Sequence, residues 1–187
     1  MENTPQCYIG VDEFTVVLFP TASIQHPDEW PRRVLNTVHE FARRTSFNRF
    51  FGPFEPMYTK KPAGCSDALT VGEVPWYFAI GWNDYSPKMG IVVRFSAYAW
   101  AAYQAVFKKH FDVPINIADF MKLIQSNNYK ARISRIDIVA DYQNYGTELA
   151  PDTIYKGLED GHLYIVDHRG RKSRRKYGAV MTVISSP

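Results

Sequence analysis

The segment that most restricts how this chain can fold is ISRIDIVADY, residues 133–142, in which charged and apolar side chains alternate. Successive side chains of a β-strand point to opposite faces of its sheet. One face would carry Arg135, Asp137, Val139 and Asp141. The other would carry Ile136, Ile138 and Ala140. We therefore predict a strand over residues 131–142 whose isoleucine face packs into a hydrophobic core.

The other elements are predicted from periodicity and from Pro, Gly and Asn punctuation. Further strands are expected over residues 7–19, 76–82, 91–95, 163–167 and 179–184. Helices are expected over residues 28–44, 97–110, 116–127 and 151–159. Residues 47–64, rich in Phe, Pro and Gly, are expected to be irregular. Strands interrupted by helices at irregular intervals indicate an α+β fold, a largely antiparallel sheet with helices packed on one face.

Two of the helices have recognisable first turns. Asp28 is placed to cap the helix over 28–44, with Pro31 in its first turn. Its expected apolar face consists of Val34, Leu35, Val38, Phe41 and Ala42. Asn116 is placed to cap the helix over 116–127, with Asp119 near its positive end.

Composition narrows the class of protein. A chain of 187 residues, 45% of them hydrophobic, is long enough for one sizeable domain with a real core, and we expect residues 1–187 to form a single domain. No stretch is apolar enough to span a bilayer, and the first residues do not resemble a signal peptide. Cys7 and Cys65 lack metal-ligand spacing. These features favour a cytoplasmic protein without a membrane partner.

Positive charge is concentrated in RGRKSRRK, residues 169–176, although the whole chain carries only +3. Without those six charges the rest of the chain would be at −3. Between two predicted strands, this run is typical of a cationic hairpin tip that contacts DNA phosphates. The candidate DNA-binding residues are Arg169, Arg171, Lys172, Arg174, Arg175 and Lys176. The alternative is a solvated charged loop.

The acidic strand has two interpretations. Asp137 and Asp141 on one face repel each other, and Mg²⁺ or Mn²⁺ could relieve that repulsion while leaving positions for water and phosphate. Such a metal would polarise a phosphodiester, and Arg135 would orient a phosphate oxygen or brace the carboxylates. The alternative is an ordinary amphipathic strand with Arg135–Asp137 and Arg132–Asp141 ion pairs on a solvated face.

The same segment resembles the signature strand, roughly T/S-R-I/L-D-x-A/V-x-D, of the replication initiation factor family. This family comprises rolling-circle plasmid initiators and related relaxases of conjugative elements. Residues 10–16 (GVDEFTV) look like its opening strand, and residues 89–96 (MGIVVRFS) resemble the strand before its first central helix. Residues 152–155 (DTIY) resemble the helix after the acidic strand.

The resemblance implies that a tyrosine attacks a DNA phosphodiester with help from a carboxylate-bound divalent metal, leaving a 5′-phosphotyrosine. By residue matching, Arg135, Asp137 and Asp141 would be catalytic, and Asp137 and Asp141 would bind the metal. Asp12 and Glu13 are weaker candidates for a further acidic ligand. The tyrosine motif, T-x-Y-x-G-S-x-x-S, is expected beyond Pro187, so the chain would be the N-terminal part of such a protein and inactive in nicking alone. Expected partners are origin DNA, single-stranded or cruciform, and a second copy of the longer protein.

Other functions are less well matched by the sequence. It contains no GxxxxGK[ST] or GxGxxG pattern, which argues against nucleotide hydrolysis. Its five histidines do not form the His-hydrophobic-His metal motif of the commoner rolling-circle relaxases. The aromatic residues Phe47, Phe50, Phe51, Phe54 and Tyr58 could stack on single-stranded bases, but packing onto the core is the favoured interpretation. A non-catalytic DNA-binding module and a purely structural protein are the alternatives to strand transfer.

Overall fold

The computed structural model describes residues 4–22, 26, 28–143, 146, 150–163, 165, 166, 172 and 173. The strands are β1 (Gln6–Pro20), β2 (Phe54–Pro56), β3 (Asp67–Val71), β4 (Phe78–Trp82), β5 (Ile91–Phe95), β6 (Tyr129–Gln143), β7 (Ile165–Val166) and β8 (Lys172–Ser173). The helices are α1 (Glu29–Thr45), α2 (Phe47–Phe51), α3 (Ala97–Phe111), α4 (Ile117–Leu123) and α5 (Pro151–Glu159), with a 3₁₀ turn at Pro87–Met89.

The chain divides into two compact units. One is Ile9–Val139, and the other combines Met1–Tyr8 with Ala140–Pro187. Whether both belong to a single domain stays a prediction. No helix in the described part of the chain is long and apolar enough to cross a membrane.

Six strands form one sheet in the order β2-β3-β4-β5-β1-β6. The pairs β1–β5, β2–β3, β3–β4 and β4–β5 are antiparallel. Within the described residues β6 is the last strand at one end of this sheet, and β7 and β8 form a separate antiparallel pair. The predicted α+β class with a largely antiparallel sheet is therefore confirmed.

The core lies between the sheet and the helices. Phe14 of β1 stacks on Phe95 of β5, with ring centroids 4.7 Å apart. Trp100 of α3 and Phe120 of α4 meet the Phe14 ring edge-on at 5.0 and 5.6 Å. Phe41 of α1 in turn contacts Phe120. Helices α1, α3 and α4 thus pack on one face of the sheet, as the sequence predicts.

A left-handed residue joins α1 to α2. Ser46 has φ 55° and ends α1, and α2 begins one residue later. This tight turn brings Phe47 into the core, where it is fully buried and stacks on Phe78 at 4.3 Å. The hydroxyl of Tyr103 donates to the carbonyl of Thr45 at 3.0 Å and fixes the turn against α3. The prediction that residues 47–64 are irregular is therefore wrong for α2 and β2.

The opposite side of the sheet, here called the far face, carries residues that alternate with the core positions. It includes Glu13 and Thr15 of β1 and Arg94 of β5, and Thr15 lies directly opposite Arg94. Residues 57–66 fold across part of this face. A Cβ built on Gly81 would lie 2.6 Å from Cys65 Sγ and 3.1 Å from Pro62 Cδ, so glycine permits that close approach.

The buried side of β6 differs from the prediction. Tyr129 is 1% exposed, and Ala131 and Ile133 pack against the core. The odd-numbered residues at the start of β6 therefore face the helices, whereas further along the strand Arg135 contacts Glu13 of the far face. Ile138 is 70% exposed, Ile136 is also exposed, and so is Ala140. The predicted burial of the isoleucine face is therefore wrong: three residues at the start of the strand pack into the core, and the isoleucines do not.

The helix boundaries agree with the sequence to within a few residues, and the caps only in part. Asn116 Oδ1 accepts from the backbone N–H of Asp119 at 3.0 Å, as predicted, although α4 ends at Leu123. Asp28 occupies the N-cap position before α1, as predicted, but its side chain makes no capping hydrogen bond. Leu35, expected in the apolar face of α1, is 48% exposed. The predicted strand over 179–184 lies outside the described residues.

A carboxylate in α1 ties the helical layer to the segment before β6. Glu40 accepts hydrogen bonds from Ser126 Oγ at 2.5 Å, Asn128 Nδ2 at 2.6 Å and Arg44 Nε at 3.0 Å. Burial alone would raise the pKa of Glu40, but these donors outweigh it and lower the pKa to about 2. The Glu40 carboxylate therefore holds α1 against the segment that precedes β6.

Candidate functional site

Four charged side chains from three neighbouring strands meet beside the far face. They are Glu13 of β1, Arg94 of β5, and Arg135 and Asp137 of β6, together called here the charge network. Strand β1 lies between β5 and β6 in the sheet. Glu13 is therefore within reach of an arginine on either side. Glu13 and Arg94 alternate with buried residues of their own strands, so ordinary strand geometry is enough to place those two.

Glu13 is the centre of the charge network. Its Oε1 atom accepts from Arg94 Nε at 2.9 Å and lies 2.7 Å from Arg94 NH2. The same oxygen lies 3.1 Å from Arg135 NH1. The Glu13 side chain is 19% exposed. One partly buried carboxylate thus holds two guanidinium groups from different strands.

Arg135 and Asp137 form a two-point ion pair. Arg135 Nε donates to Asp137 Oδ1 at 3.0 Å, and Arg135 NH2 donates to Oδ2 at 2.5 Å. These hydrogen bonds lower the pKa of Asp137 and raise that of Arg135. The pair that an amphipathic strand would form here is therefore present. Arg132, on the same strand, lies with its guanidinium carbon 5.4 Å from the Phe19 ring centroid.

The arginines of the charge network are already oriented by carboxylates. The Arg135 side chain is 52% exposed, yet Glu13 and Asp137 fix its direction. A guanidinium presents paired N–H donors that match the oxygens of a phosphate. A phosphate arriving at this surface would compete with Asp137 for donors that are already oriented.

The hydrogen bonds of these carboxylates bear on the predicted Mg²⁺ or Mn²⁺ site. Both oxygens of Asp137 accept from Arg135, and Glu13 is shared by two arginines. Across the described residues, no three or more His, Cys, Asp and Glu side chains are grouped so that they could hold a metal ion. The donors available in that part of the chain do not fit a hard cation in this arrangement. Binding of Mg²⁺ or Mn²⁺ stays a prediction.

The remaining predicted site residues lie elsewhere. Asp141 is exposed and belongs to the second unit, whereas Arg135 and Asp137 belong to the first. Asp12 is exposed on β1. Of the basic run, Lys172 lies in β8, whose backbone pairs with β7. The other five, Arg169, Arg171, Arg174, Arg175 and Lys176, lie outside the described residues.

The aromatic cluster is mainly structural. Phe47 is fully buried, and Phe50, Phe51 and Phe54 pack against the core. Tyr58 is the exception at 85% exposed. The favoured interpretation, core packing, is confirmed for the four phenylalanines.

Sequence reasoning did not assign Arg94 to the site. It is the one charged residue in the strand IVVRF, between Val93 and Phe95, which are both fully buried. The alternation of side chains in this strand, which can be read from the sequence, places Arg94 on the side of the sheet opposite the core. Its partner Glu13 was only a weak candidate, because the strand order that joins β5, β1 and β6 cannot be obtained from local pattern.

Comparison with known proteins adds no assignment. No family model, curated protein or solved structure matches the chain. The resemblance to replication initiation factors therefore rests on the residues quoted above.

Proposed function

We propose that this protein binds the phosphate backbone of DNA at the charge network, as part of a nicking and rejoining protein of rolling-circle replication or conjugative transfer. The observation that carries the proposal is Arg135, half exposed to solvent and held in direction by Glu13 and Asp137. The resemblance of residues 133–142 to the replication initiation factor strand supplies the class of nucleic-acid reaction.

Preorganisation is the physical argument. A free arginine loses side-chain entropy when it is ordered on a ligand, and that cost reduces affinity. In the charge network, carboxylates from the same sheet already restrict the guanidinium. Phosphate contacts of this kind position DNA without reading its sequence. Lys130 and Arg132 lie earlier on β6 and are also exposed.

Strand transfer is the finer part of the proposal. In it, Arg135 supports the scissile phosphate, and the family resemblance assigns Asp137 and Asp141 to a divalent metal. The basic run over 169–176 would add salt-sensitive affinity for DNA. A cytoplasmic location belongs to the same proposal.

One observation favours a second candidate, a DNA-binding module without catalysis. Both oxygens of Asp137 are engaged by Arg135, so the carboxylate is neutralised within its own strand. A protein that only binds DNA has no need of a carboxylate open to a metal. In this alternative the ion pair orients Arg135, and that is its whole function.

The binding part is tested by fluorescence anisotropy with a labelled single-stranded oligonucleotide and a hairpin duplex over a salt series. We expect Arg135→Gln to weaken binding by about tenfold, the loss of one charge-assisted phosphate contact. Arg49→Gln, which removes one exposed positive charge from α2, is the matched control and should change affinity by less than about twofold. Equal losses in both variants, or no affinity for DNA at moderate salt, would exclude the charge network as the binding surface.

The two candidates are separated by Asp137→Asn and Asp141→Asn. Strand transfer predicts that either change abolishes Mn²⁺-dependent nicking of supercoiled plasmid by a chain that includes the tyrosine motif, while DNA binding survives. Nicking that stays within a few-fold of wild type in both variants would contradict the catalytic assignment. A module without catalysis predicts no nicking in any variant.

A further inference from the structure

A small cation-rich pocket lies on the far face beside the charge network. It has a volume of about 290 Å³ and is lined by Glu13, Lys60, Lys61, Tyr77, Arg94 and Ser96. This volume is at the lower end of the range for ligand sites and suits a small polar group better than a drug-sized molecule. The sequence does not predict it, because its residues come from four separate segments.

Backbone contacts fix the two lysines at the pocket. The hydroxyl of Tyr77 donates to the carbonyl of Lys60 at 2.9 Å. The ammonium of Lys61 donates to the carbonyl of Ser66 and so joins two parts of the segment 57–66. Lys60 adopts the left-handed conformation, φ 56°, so it marks a defined turn. Lys60 is thus held through its main chain, and its side chain is left available.

Positive charge exceeds negative charge around this pocket. Three cationic side chains line it against one carboxylate, Glu13. That carboxylate is also shared with Arg135, which lies outside the pocket lining. Lys61 has one further acidic neighbour, Asp67, at 3.4 Å, and that side chain is half exposed. The lining therefore favours an anion over a neutral or cationic ligand.

Several hydrogen-bond donors of the pocket have no partner within the described residues. The ammonium of Lys60 makes no hydrogen bond or ion pair there. Arg94 directs Nε and NH2 to Glu13, which leaves NH1. Ser96 Oγ accepts from the backbone N–H of Ala99, so its own proton is free to donate.

The helix that starts at the pocket adds to this preference. Ser96 is the N-cap of α3, a helix of 15 residues with no acidic side chain in its first turn. The first N–H groups of a helix lack intrahelical partners, and the helix dipole favours negative charge at that end. The N-terminus of α3 and the cationic side chains therefore both favour negative charge in this pocket.

We propose that this pocket binds one phosphate group, with Lys60 and Arg94 as charged ligands and Ser96 as a hydroxyl donor. The proposal deepens the proposed DNA binding, on which it rests for the source of the phosphate, a nucleotide of the DNA backbone. A free phosphate ion offers the same oxyanion chemistry. Occupation would draw Arg94 away from Glu13 and so link the pocket to Arg135.

The test measures inorganic phosphate directly by following backbone amide shifts in two-dimensional NMR, with equal ionic strength of chloride as reference. We expect saturable shifts at Arg94, Ser96 and Ala97, and at least tenfold weaker binding in Lys60→Gln. Lys60 is held through its carbonyl, so this variant keeps the fold. Lys109→Gln is the matched control, an exposed lysine twelve residues beyond the start of α3 and about 18 Å along it.

A second arm uses a short single-stranded oligonucleotide with the same variants. Weaker binding of both phosphate and oligonucleotide in Lys60→Gln, but not in Lys109→Gln, supports a DNA phosphate as the occupant. Loss of phosphate binding alone, with no affinity of the wild type for DNA, would leave the pocket standing and overturn the proposed function. Oligonucleotide binding without phosphate shifts at the pocket, equal in all three proteins, would overturn the pocket and spare the proposed function.

Discussion

The two faces of the six-stranded sheet are built from consecutive residues of the same strands, yet they have different roles. Phe14 and Phe95 stack under the helices, while their neighbours Glu13 and Arg94 form an ion pair on the far face. The helix-facing side is closed by aromatic packing. The far face combines charge with a pocket. Period-two alternation therefore lets one strand contribute to stability and to a candidate binding surface at adjacent positions.

The largest effect is expected from breaking the aromatic face. Phe14→Ala removes a fully buried ring that contacts Phe95, Trp100 and Phe120. We expect the free energy of unfolding to fall by about 3–5 kcal/mol, the usual cost of such a cavity. Urea denaturation followed by circular dichroism measures it. Tyr98→Ala on α3, 77% exposed, is the control and should cost less than about 0.5 kcal/mol. Similar losses of stability in Phe14→Ala and Tyr98→Ala would contradict the assignment of Phe14 to the core.

A smaller loss of stability is expected when the Glu40 carboxylate is neutralised. Glu40→Gln should lower the free energy of unfolding by about 2 kcal/mol at pH 7, because a hydrogen-bonded carboxylate becomes neutral. The pKa of Glu40 is lowered from 4.5 to about 2, so its ionised form stabilises the fold above pH 4.5. That stabilisation is lost as pH falls through 4.5 towards 2. Wild type and variant should therefore converge in acid.

Glu29→Gln is the matched control for that experiment. It removes another glutamate from α1, paired with Arg33 four residues on at 3.6 Å. Surface pairs of this kind contribute roughly 0.3–0.5 kcal/mol. If the stability difference between wild type and Glu40→Gln does not depend on pH, or if Glu29→Gln loses as much stability, the role assigned to the Glu40 carboxylate is wrong.

A third change tests how closely residues 57–66 cover the far face. Gly81→Ala places a methyl group 2.6 Å from Cys65 Sγ and 3.1 Å from Pro62 Cδ, so at least the Cys65 side chain must shift. We expect a loss of about 1–2 kcal/mol from overpacking, with weaker phosphate binding at the pocket. Adding Cys65→Ala removes the clashing sulfur and should restore much of both. If the double variant is no better than Gly81→Ala, the clash does not lie at Cys65.

The smallest effect on stability, and the most specific one, is expected in the charge network. Hydrogen bonds from Arg135 lower the pKa of Asp137. Arg135→Gln should therefore raise that pKa towards its ordinary value, while the urea midpoint stays nearly unchanged because the pair is exposed. Carboxyl-carbon NMR titration follows the group directly. The Lys130→Gln variant serves as control, and an unchanged Asp137 pKa in Arg135→Gln would remove the ion pair as its cause.

Local pattern predicted the elements whose signal is strong along the chain. Strand β1, helices α1, α3 and α5 and strand β5 follow from periodicity, caps and proline. Strand β3, Asp67–Val71, was missed because its sequence, DALTV, does not alternate strictly between polar and apolar residues. The short α2 was missed because it depends on Ser46 in the left-handed conformation, which favours glycine or asparagine.

The candidate site was predicted only where it is local. Arg135 and Asp137 are two residues apart, so their pairing follows from one strand. Glu13 and Arg94 are 81 residues apart and meet through the order of strands in the sheet. Lys60 reaches the pocket only because residues 57–66 cross the far face. Contacts set by topology are outside the reach of a pattern in a single sequence.

The position of β6 at the end of the described sheet has a consequence for association between copies. If no further strand pairs with it, an edge strand of fifteen residues offers backbone hydrogen-bonding groups to another extended chain, and such edges promote aggregation unless they are guarded. Arg135 and Asp137 alternate along the chain with the exposed Ile136 and Ile138, and such charges discourage edge-to-edge pairing. The same arginine that is proposed to hold DNA would then also keep two copies of this strand apart.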